Sequence, residues 1–358
     1  MTRLLNLDFG LLASALFLIV AGLTTIFSID STLFIKQLIW ASLAVLLIFL
    51  LPLINLKSIF GYRFFILGGY FLILVLLILT LFIAPAIHGT RGWLVLGPIQ
   101  IQPAEFMKAA LIILFSSFFA SRHVSIARFD TLAISFLYFI VPTVFTLLQP
   151  DLGTALVFMA IWFSYLLISE IPLRHLIRFF LAFIVGVVLI WNFGLVDYQK
   201  ARVVGFLNPN SDPLGANYNV IQSKIAVGSS GFFGKGFGQG SQVQLKFLPA
   251  AHTDFIFPSF TEQWGILGAG ILISAFTFLV YRILKVGEKS DNNFSKFLSL
   301  GTAILLLTHF ALNLGSALGL LPVVGLSLPL VSYGGSNLLT VALLLGIILN
   351  TAERRAGF

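Results

Sequence analysis

Apolar runs, most of them near the ~20 residues that a bilayer demands of a helix, recur along almost the whole chain with short polar segments between them. They predict helices near Phe9–Ser28, Phe34–Ile54, Phe64–Ile87, Ala104–Ala120, Thr131–Leu148, Leu152–Ile168 and Ile177–Leu195. Three more are predicted near Phe260–Leu284, Phe294–Leu321 and Ser336–Thr351. The fourth and the tenth are short for a span. One long polar segment, about 196–259, separates the seventh run from the eighth. The pattern predicts an all-α polytopic membrane protein of about ten transmembrane helices, folded as a single domain over residues 1–358. No internal repeat is visible, and no broken helices occur at corresponding positions in two halves. That argues against a secondary transporter.

Composition supports the same class. Of 358 residues, 59% are hydrophobic and 9% charged, with a mean hydropathy of +1.04. Such values exclude an ordinary soluble domain. The absence of cysteine excludes disulfides, thiolate nucleophiles and zinc–thiolate sites. The first run lacks a small-residue cleavage site after it and is expected to be a retained span.

The net charge of +8 is distributed as membrane topology requires and gives no sign of nucleic acid as a partner. With the N-terminus inside, the inner segments hold Arg3, Lys57, Arg63, Arg122, Arg128, Arg174, Arg178, Arg282, Lys285, Lys289, Lys296, Arg354 and Arg355. The short outer segments hold only Lys36 and Arg91, with Lys108 just inside a helix. The positive-inside rule then places both termini in the cytoplasm and the 196–259 segment outside. Glu105, Asp151, Asp197, Asp212, Asp254 and Glu262 fall on or near the outer face, so chemistry is expected there.

Asp254 is the leading candidate. It lies in His252-Thr253-Asp254-Phe255-Ile256-Phe257, bracketed by Pro249 and Pro258. An acid at the edge of a membrane domain is a functional candidate by default. Ser259-Phe260-Thr261-Glu262 reads as a capping box that starts the eighth helix without Asp254. That box is also the structural reading of Glu262. His252 points the same way as Asp254 in an extended segment, as a second base, a ligand or a structural residue.

Glu105 and Lys108, spaced i, i+3 behind Gln102-Pro103, can pair on one helix face. The pair is either structural or a device that aims Lys108 at a phosphate. Asp151 in Gln149-Pro150-Asp151-Leu152-Gly153-Thr154 reads as a helix cap. Gln222, Ser223, Lys224 and Lys235 lie in a glycine-rich run from Tyr218 to Gly240. This is no Walker loop, because no Gly-Lys-Ser/Thr closes it. It reads as an anion cradle or a lid. Pro322 to Pro329 reads as a buried re-entrant loop leading to Ser332, Gly334, Gly335 and Ser336, whose backbone can face an anion at the start of the last helix.

Taken in order, these segments resemble the SEDS family (shape, elongation, division and sporulation) of bacterial cell-wall synthesis. The resemblance rests on Gly89 to Lys108, Gln149 to Thr154, Gln222-Ser223 and the glycine run, Leu248-Pro249, His252 to Phe257, Glu262 with Gly265 and Gly268, and Leu321-Pro322 to Ser336. It covers nearly the whole chain and is closest to the elongation branch. Three positions depart from the family pattern. Gly92 separates Arg91 from Trp93, Ala104 replaces a common Ser, and Gln263 replaces a second common Glu.

The resemblance implies a peptidoglycan glycosyltransferase that polymerises lipid II on the outer face of the cytoplasmic membrane, for elongation and rod shape. It implies Mg²⁺ or Mn²⁺ as a cation. It also implies nascent glycan, a class B penicillin-binding protein and other elongation-complex membrane proteins as partners. Asp254 is then the expected base, with Lys108, Arg91, Lys224 and Lys235 compensating the leaving diphosphate. The competing expectations are a lipid II flippase, a scaffold for the transpeptidase, and a polymerase of the division branch.

Overall fold

A computed structural model describes residues 7–85, 89–97, 99–121, 129–168, 173–208, 212–215 and 217–352. Each of the ten apolar runs forms a helix: α1 (Phe9–Ile29), α2 (Ser31–Leu50), α4 (Arg63–Ile83), α5 (Pro103–Ala120), α6 (Phe129–Leu148), α7 (Leu152–Ile168), α8 (Leu173–Leu189), α12 (Ile256–Lys289), α13 (Asn293–Ala317) and α14 (Gly335–Ala352). Among the described residues, seven helices are long and apolar enough to cross a membrane, and α7 and α14 are shorter apolar helices. The seventh run stops short of its expected end at Leu195 and finishes in a π turn, Ile190–Gly194. A short helix α3 (Leu56–Phe60) precedes α4, and a hairpin of β1 (Leu94–Leu96) and β2 (Ile99–Ile101) precedes α5, with Leu94 opposite Ile101. Large side chains such as Phe64 and Phe82 on α4 are about four-fifths exposed (80% and 78%), a surface that suits lipid rather than water. The protein is an all-α polytopic membrane protein.

The 196–259 segment is not a plain loop. It contains α9 (Asp197–Leu207), α10 (Tyr218–Gly228) and α11 (Ser241–Gln244). Its polar composition hid them, because a helix packed by one narrow face shows little apolar periodicity.

The chain divides into two compact units. The first comprises residues 1–54, 201–289 and 306–358; the second comprises 55–200 and 290–305. In the first, Asp30 links α1 to α2 by itself. Its N–H closes the end of α1 on the Ile26 carbonyl, and its carboxylate caps α2 at the Thr32 and Leu33 N–H groups (2.7 and 3.2 Å). These backbone hydrogen bonds hold its pKa below the ordinary 3.8. Pro52 ends α2 early, and Asn350 Nδ2 donates to the carbonyls of Leu51, Pro52 and Ile54 at 2.9, 3.1 and 2.7 Å. Helix ends leave such carbonyls without partners. In the second unit, α4 packs on α5 and α6 on α7.

Helix α12 begins at Ile256, not at the expected Phe260, and the capping box does not form. Ser259 sits inside the helix and donates back to the Phe255 and Ala251 carbonyls (2.9 and 3.0 Å). The helix breaks at Gly265, whose φ is 71°. The break exposes backbone groups that the glycine run fills. Lys235 and Gly236 N–H donate to the Glu262 and Gln263 carbonyls (2.9 and 3.1 Å), and Ile266 and Leu267 N–H donate to Gly231 and Phe232 (3.1 Å each). Backbone meets backbone so closely that a Cβ at Gly234, itself at φ 85°, would collide with the Gln263 carbonyl. The glycine run is therefore a docked element of α12.

Gly234→Ala should lower the melting temperature of the purified protein in detergent. A left-handed backbone alone costs an L-residue about 1–2 kcal/mol, and the collision adds to it. Gly270→Ala, whose added Cβ meets no atom within 4 Å, should hold stability or raise it; the helical gain is about 0.5–1 kcal/mol. Equal losses in the two variants would contradict this account of the docking.

Candidate functional site

Asp254 is positioned through its backbone. Ala251 and Phe255 on either side are buried in a core cluster with Ala226, Val243, Leu248 and Ala317. His252, Thr253 and Asp254 between them stay half-exposed. Each of their three carbonyls is then held. Tyr333 N–H donates to His252 at 2.8 Å, Ser332 Oγ to Thr253 at 2.7 Å, and Asn313 Nδ2 to Asp254 at 2.9 Å. Asn313 also donates to the Leu326 carbonyl at 2.8 Å, so one side chain couples the acid to the re-entrant segment. That segment is non-helical, as expected, but only Leu326, Leu328 and Pro329 of it are buried, and Gly325 is exposed.

The carboxylate faces Gly325. A Cβ there would lie 3.8 Å from Asp254 Oδ2 and 3.9 Å from Arg202 Nη1, so the acid and a guanidinium border the same point. Arg202 on α9 is steered there by its bond to the Val323 carbonyl (3.3 Å). It was not among the candidate site residues. Neither Arg202 nor Asn313 stands in a motif, and only the fold brings them to Asp254.

His252 stacks edge-to-face on Tyr333, with ring centroids 5.7 Å apart. Burial pushes its pKa below 6.5, against the pull of the Asp30 carboxylate. The burial favours the neutral imidazole. Burial likewise pushes the Tyr333 phenol up. Gly334 does not offer its N–H to an anion, because Gln37 Oε1 accepts it at 3.1 Å. Gly335 packs on the Trp40 indole, and Ser336 is buried.

Glu262, Lys235 and Ser223 make their contacts within the protein. Glu262 is fully buried and accepts from Lys235 Nζ (2.7 Å), Ser241 Oγ (3.3 Å), and the Gln242 and Val243 N–H groups (3.0 and 3.3 Å). Lys235 donates also to Ser229 and Ser241 (2.8 and 3.0 Å), so its three protons are used. Ser223 Oγ donates to the carbonyl of Ala317, the last residue of α13, at 2.5 Å. Gln222 is half-buried, and Lys224 is exposed and lies over Gly319.

The second unit holds its own polar cluster. Lys108 and Glu105 pair at 2.7 Å, both buried. Asp151 caps α7 at the Thr154 N–H (3.0 Å) and accepts from Thr154 Oγ1 (2.8 Å) and Gln102 Nε2 (3.2 Å). Burial raises its pKa, opposed by the Thr154 bonds and the charge of Lys108. Arg91 is exposed ahead of the hairpin. Among the described residues no three His, Asp or Glu side chains gather to hold a metal ion.

Known proteins are similar to this chain. The chain is 35% identical over 286 residues to the peptidoglycan glycosyltransferase MrdB of Escherichia coli (strain K12), covering 80% of this chain and 77% of that one. It is 35% identical over 339 residues to MrdB of Helicobacter pylori (strain ATCC 700392 / 26695), covering 93% and 86%. Its fold matches a chain from a peptidoglycan synthase complex described as coordinating polymerization and crosslinking (TM-score 0.83, 33% identity, 98% and 99% covered). It also matches the rod shape determining protein RodA of Thermus thermophilus (TM-score 0.74, 28% identity, 98% of each chain covered). The model of the FtsW, RodA and SpoVE family of cell cycle proteins matches residues 1–356, and the chain belongs to that family.

Proposed function

We propose that this protein is a peptidoglycan glycosyltransferase that polymerises lipid II. The observation that carries the reading is the Asp254 carboxylate, on a turn whose carbonyls at His252, Thr253 and Asp254 each accept a hydrogen bond, and bordered by Arg202, in a chain whose relatives bear that activity in their names. In the reaction, the 4-hydroxyl of the acceptor sugar attacks the anomeric carbon of the donor. The new C–O bond forms as the bond to the lipid diphosphate breaks, and the electron pair leaves with the diphosphate. The configuration inverts once, from α to β-1,4. A glycosidase of this stereochemistry needs an acid and a base. A diphosphate leaves as an anion and needs charge compensation rather than a proton. One carboxylate therefore suffices, and Asp254 takes the acceptor's proton.

The cations are assigned differently from the sequence expectation. Lys108 and Lys235 are each paired with a buried carboxylate. Arg202 suits a phosphate better, since its planar fork can donate two hydrogen bonds to one group. Lys224 is the second choice. A divalent cation, in this reading, comes with the diphosphate. Mg²⁺ binds readily in that mode, keeping waters and one or two carboxylates. We place both termini in the cytoplasm and Asp254 on the outer face, as the positive charges of the short segments favour. The role in elongation and a class B penicillin-binding protein as transpeptidase partner belong to the same reading. They are supported by MrdB and RodA among the relatives and by the synthase-complex chain. Identity alone does not separate the branches: FtsW of Haemophilus influenzae (strain ATCC 51907 / DSM 11121 / KW20 / Rd) is 36% identical over 285 residues.

Purified protein supplied with labelled lipid II should make glycan strands. Asp254→Asn, which leaves the backbone bonds intact, should slow this by about 10²–10⁴-fold without moving the melting temperature. Wild-type rates in that variant would remove Asp254 as the base. Movement of lipid II between liposome leaflets with no glycan formed would replace the polymerase with a flippase. EDTA should stop synthesis and leave the melting temperature unchanged, with Mg²⁺ restoring the rate; a fall in stability would reveal a resident metal. For orientation, the cysteine-free chain allows single labels. Leu245→Cys should react with an impermeant maleimide in intact spheroplasts, and Glu288→Cys only after permeabilisation; the reverse would invert the topology.

A further inference from the structure

Two hydrogen bonds from one amide tie the Asp254 turn to the segment that steers Arg202. Asn313, on α13 and 1% exposed, donates both through Nδ2, to the Asp254 carbonyl at 2.9 Å and to the Leu326 carbonyl at 2.8 Å. An amide nitrogen of this kind carries two protons, so both are spent. Both acceptors are carbonyls, which fixes the orientation of the amide, because the flipped side chain would set an oxygen against two oxygens. Among the described residues, Asn313 Oδ1 is buried and has no hydrogen-bond partner. A buried acceptor without a donor destabilises a fold, and such groups in native proteins call for an explanation.

The explanation lies in what the two bonds join. All the groups concerned belong to the first unit. The Leu326 carbonyl lies three residues beyond that of Val323, which accepts from Arg202 Nη1 at 3.3 Å. Between them the chain turns at Gly325, with φ 73°. The Asp254 carboxylate and the Arg202 guanidinium both border that residue. The backbone of the acid and the segment that steers the cation are thus both referred to one nitrogen atom. His309, one turn earlier on α13, meets the Ser327 carbonyl through Nδ1 at 3.0 Å and holds the same segment to the helix. Ser332 Oγ adds a second tie, accepting from the Leu328 N–H at 2.9 Å and donating to the Thr253 carbonyl at 2.7 Å. The Asn313 bonds fall on Asp254 itself and on the neighbour of Gly325.

We propose that Asn313 is a positioning residue for glycosyl transfer, setting the spacing between the Asp254 carboxylate and the Arg202 guanidinium. The inference rests on the glycosyltransferase reading and deepens it. Asn313 touches no substrate and exchanges no proton; it acts through the backbone of the turn and of the segment. The reaction needs a fixed separation. As the acceptor hydroxyl attacks, its proton passes to Asp254 while negative charge moves onto the diphosphate beside Arg202. Base and cation must therefore meet opposite ends of one reacting assembly, and a misplacement of about 1 Å costs on the order of 10²-fold in rate. Two donors on one planar group hold that separation. An aliphatic side chain would leave no stranded oxygen, but it would hold neither carbonyl.

The test compares Asn313→Ala with Asn350→Ala, since Asn350 makes bonds of the same kind to the carbonyls at the end of α2. Polymerisation of lipid II and thermal melts in detergent are measured for both. Both variants should melt at a lower temperature. Asn313→Ala should lower kcat about 10²-fold while KM stays close to its wild-type value. Asn350→Ala should keep both constants. In an Asp254→Asn background, Asn313→Ala should cost distinctly less than in the wild-type protein, because the base that it aims is gone. Asn313→Gln keeps both donors on an arm one methylene longer. It should melt above Asn313→Ala without recovering kcat, and it carries the test if Asn313→Ala fails to fold. A kcat that follows the melting temperature across the variants overturns the proposal. So does full additivity with Asp254→Asn, and so does failure of both Asn313 variants to fold. Wild-type protein that makes no glycan would instead sink the glycosyltransferase reading, and this inference with it, so the two failures are distinguished.

Discussion

Backbone hydrogen bonding in an apolar solvent is the constraint on which this structure depends. Hydrocarbon offers no partner to an exposed N–H or C=O, so any stretch that leaves the helical ladder must find its partners within the protein. Among the described residues of the first unit, several departures are met by a polar side chain or another backbone. Asn350 serves the end of α2, Ser223 the end of α13, and the glycine run the break at Gly265. Asn313, Ser332 and Tyr333 serve the turn at His252–Asp254. The bonds that make a non-helical turn tolerable are the same bonds that aim Asp254. Stability and the placement of the candidate base thus share one set of contacts.

Buried charge follows a similar logic at higher stakes. Lys108 with Glu105 and Lys235 with Glu262 are ion pairs with little or no access to water. Desolvation makes such pairs poor sources of net stability, yet removing one partner costs about 3–5 kcal/mol because the other charge is stranded. Glu262 ties the glycine run to α12, and Glu105 neutralises a lysine on the first turns of α5. In the sequence Lys108 is open to a structural pair or a phosphate contact, and Lys235 lies in a run that reads as an anion cradle or a lid; in the structure each is paired with a carboxylate.

The spans were legible because a bilayer imposes length and apolarity on every crossing helix, and α7 matched its expected limits at Leu152 and Ile168. Asp151 as a cap and Glu105 with Lys108 as a pair were legible because both are local contacts. The capping box at Ser259–Glu262 was misread. Its spacing was right, but Ser259 found its partners behind it, at Phe255 and Ala251, and the helix started earlier. Arg202 and Asn313 carried no local signal, since their partners lie far off in sequence: Val323 and Asp254.

The sequence by itself determined that this is a bundle of membrane helices with a single standout acid in its longest polar segment. Hydropathy, charge and motif order act within a few residues of one another, so they can be read in one dimension. Only the tertiary structure decided which polar groups support the fold and which remain for chemistry. That division depends on whether a partner from a distant segment arrives within hydrogen-bond reach. For Glu262 and Lys235 it does. For Asp254, distant partners hold the backbone of its turn, and the carboxylate borders Gly325 and Arg202.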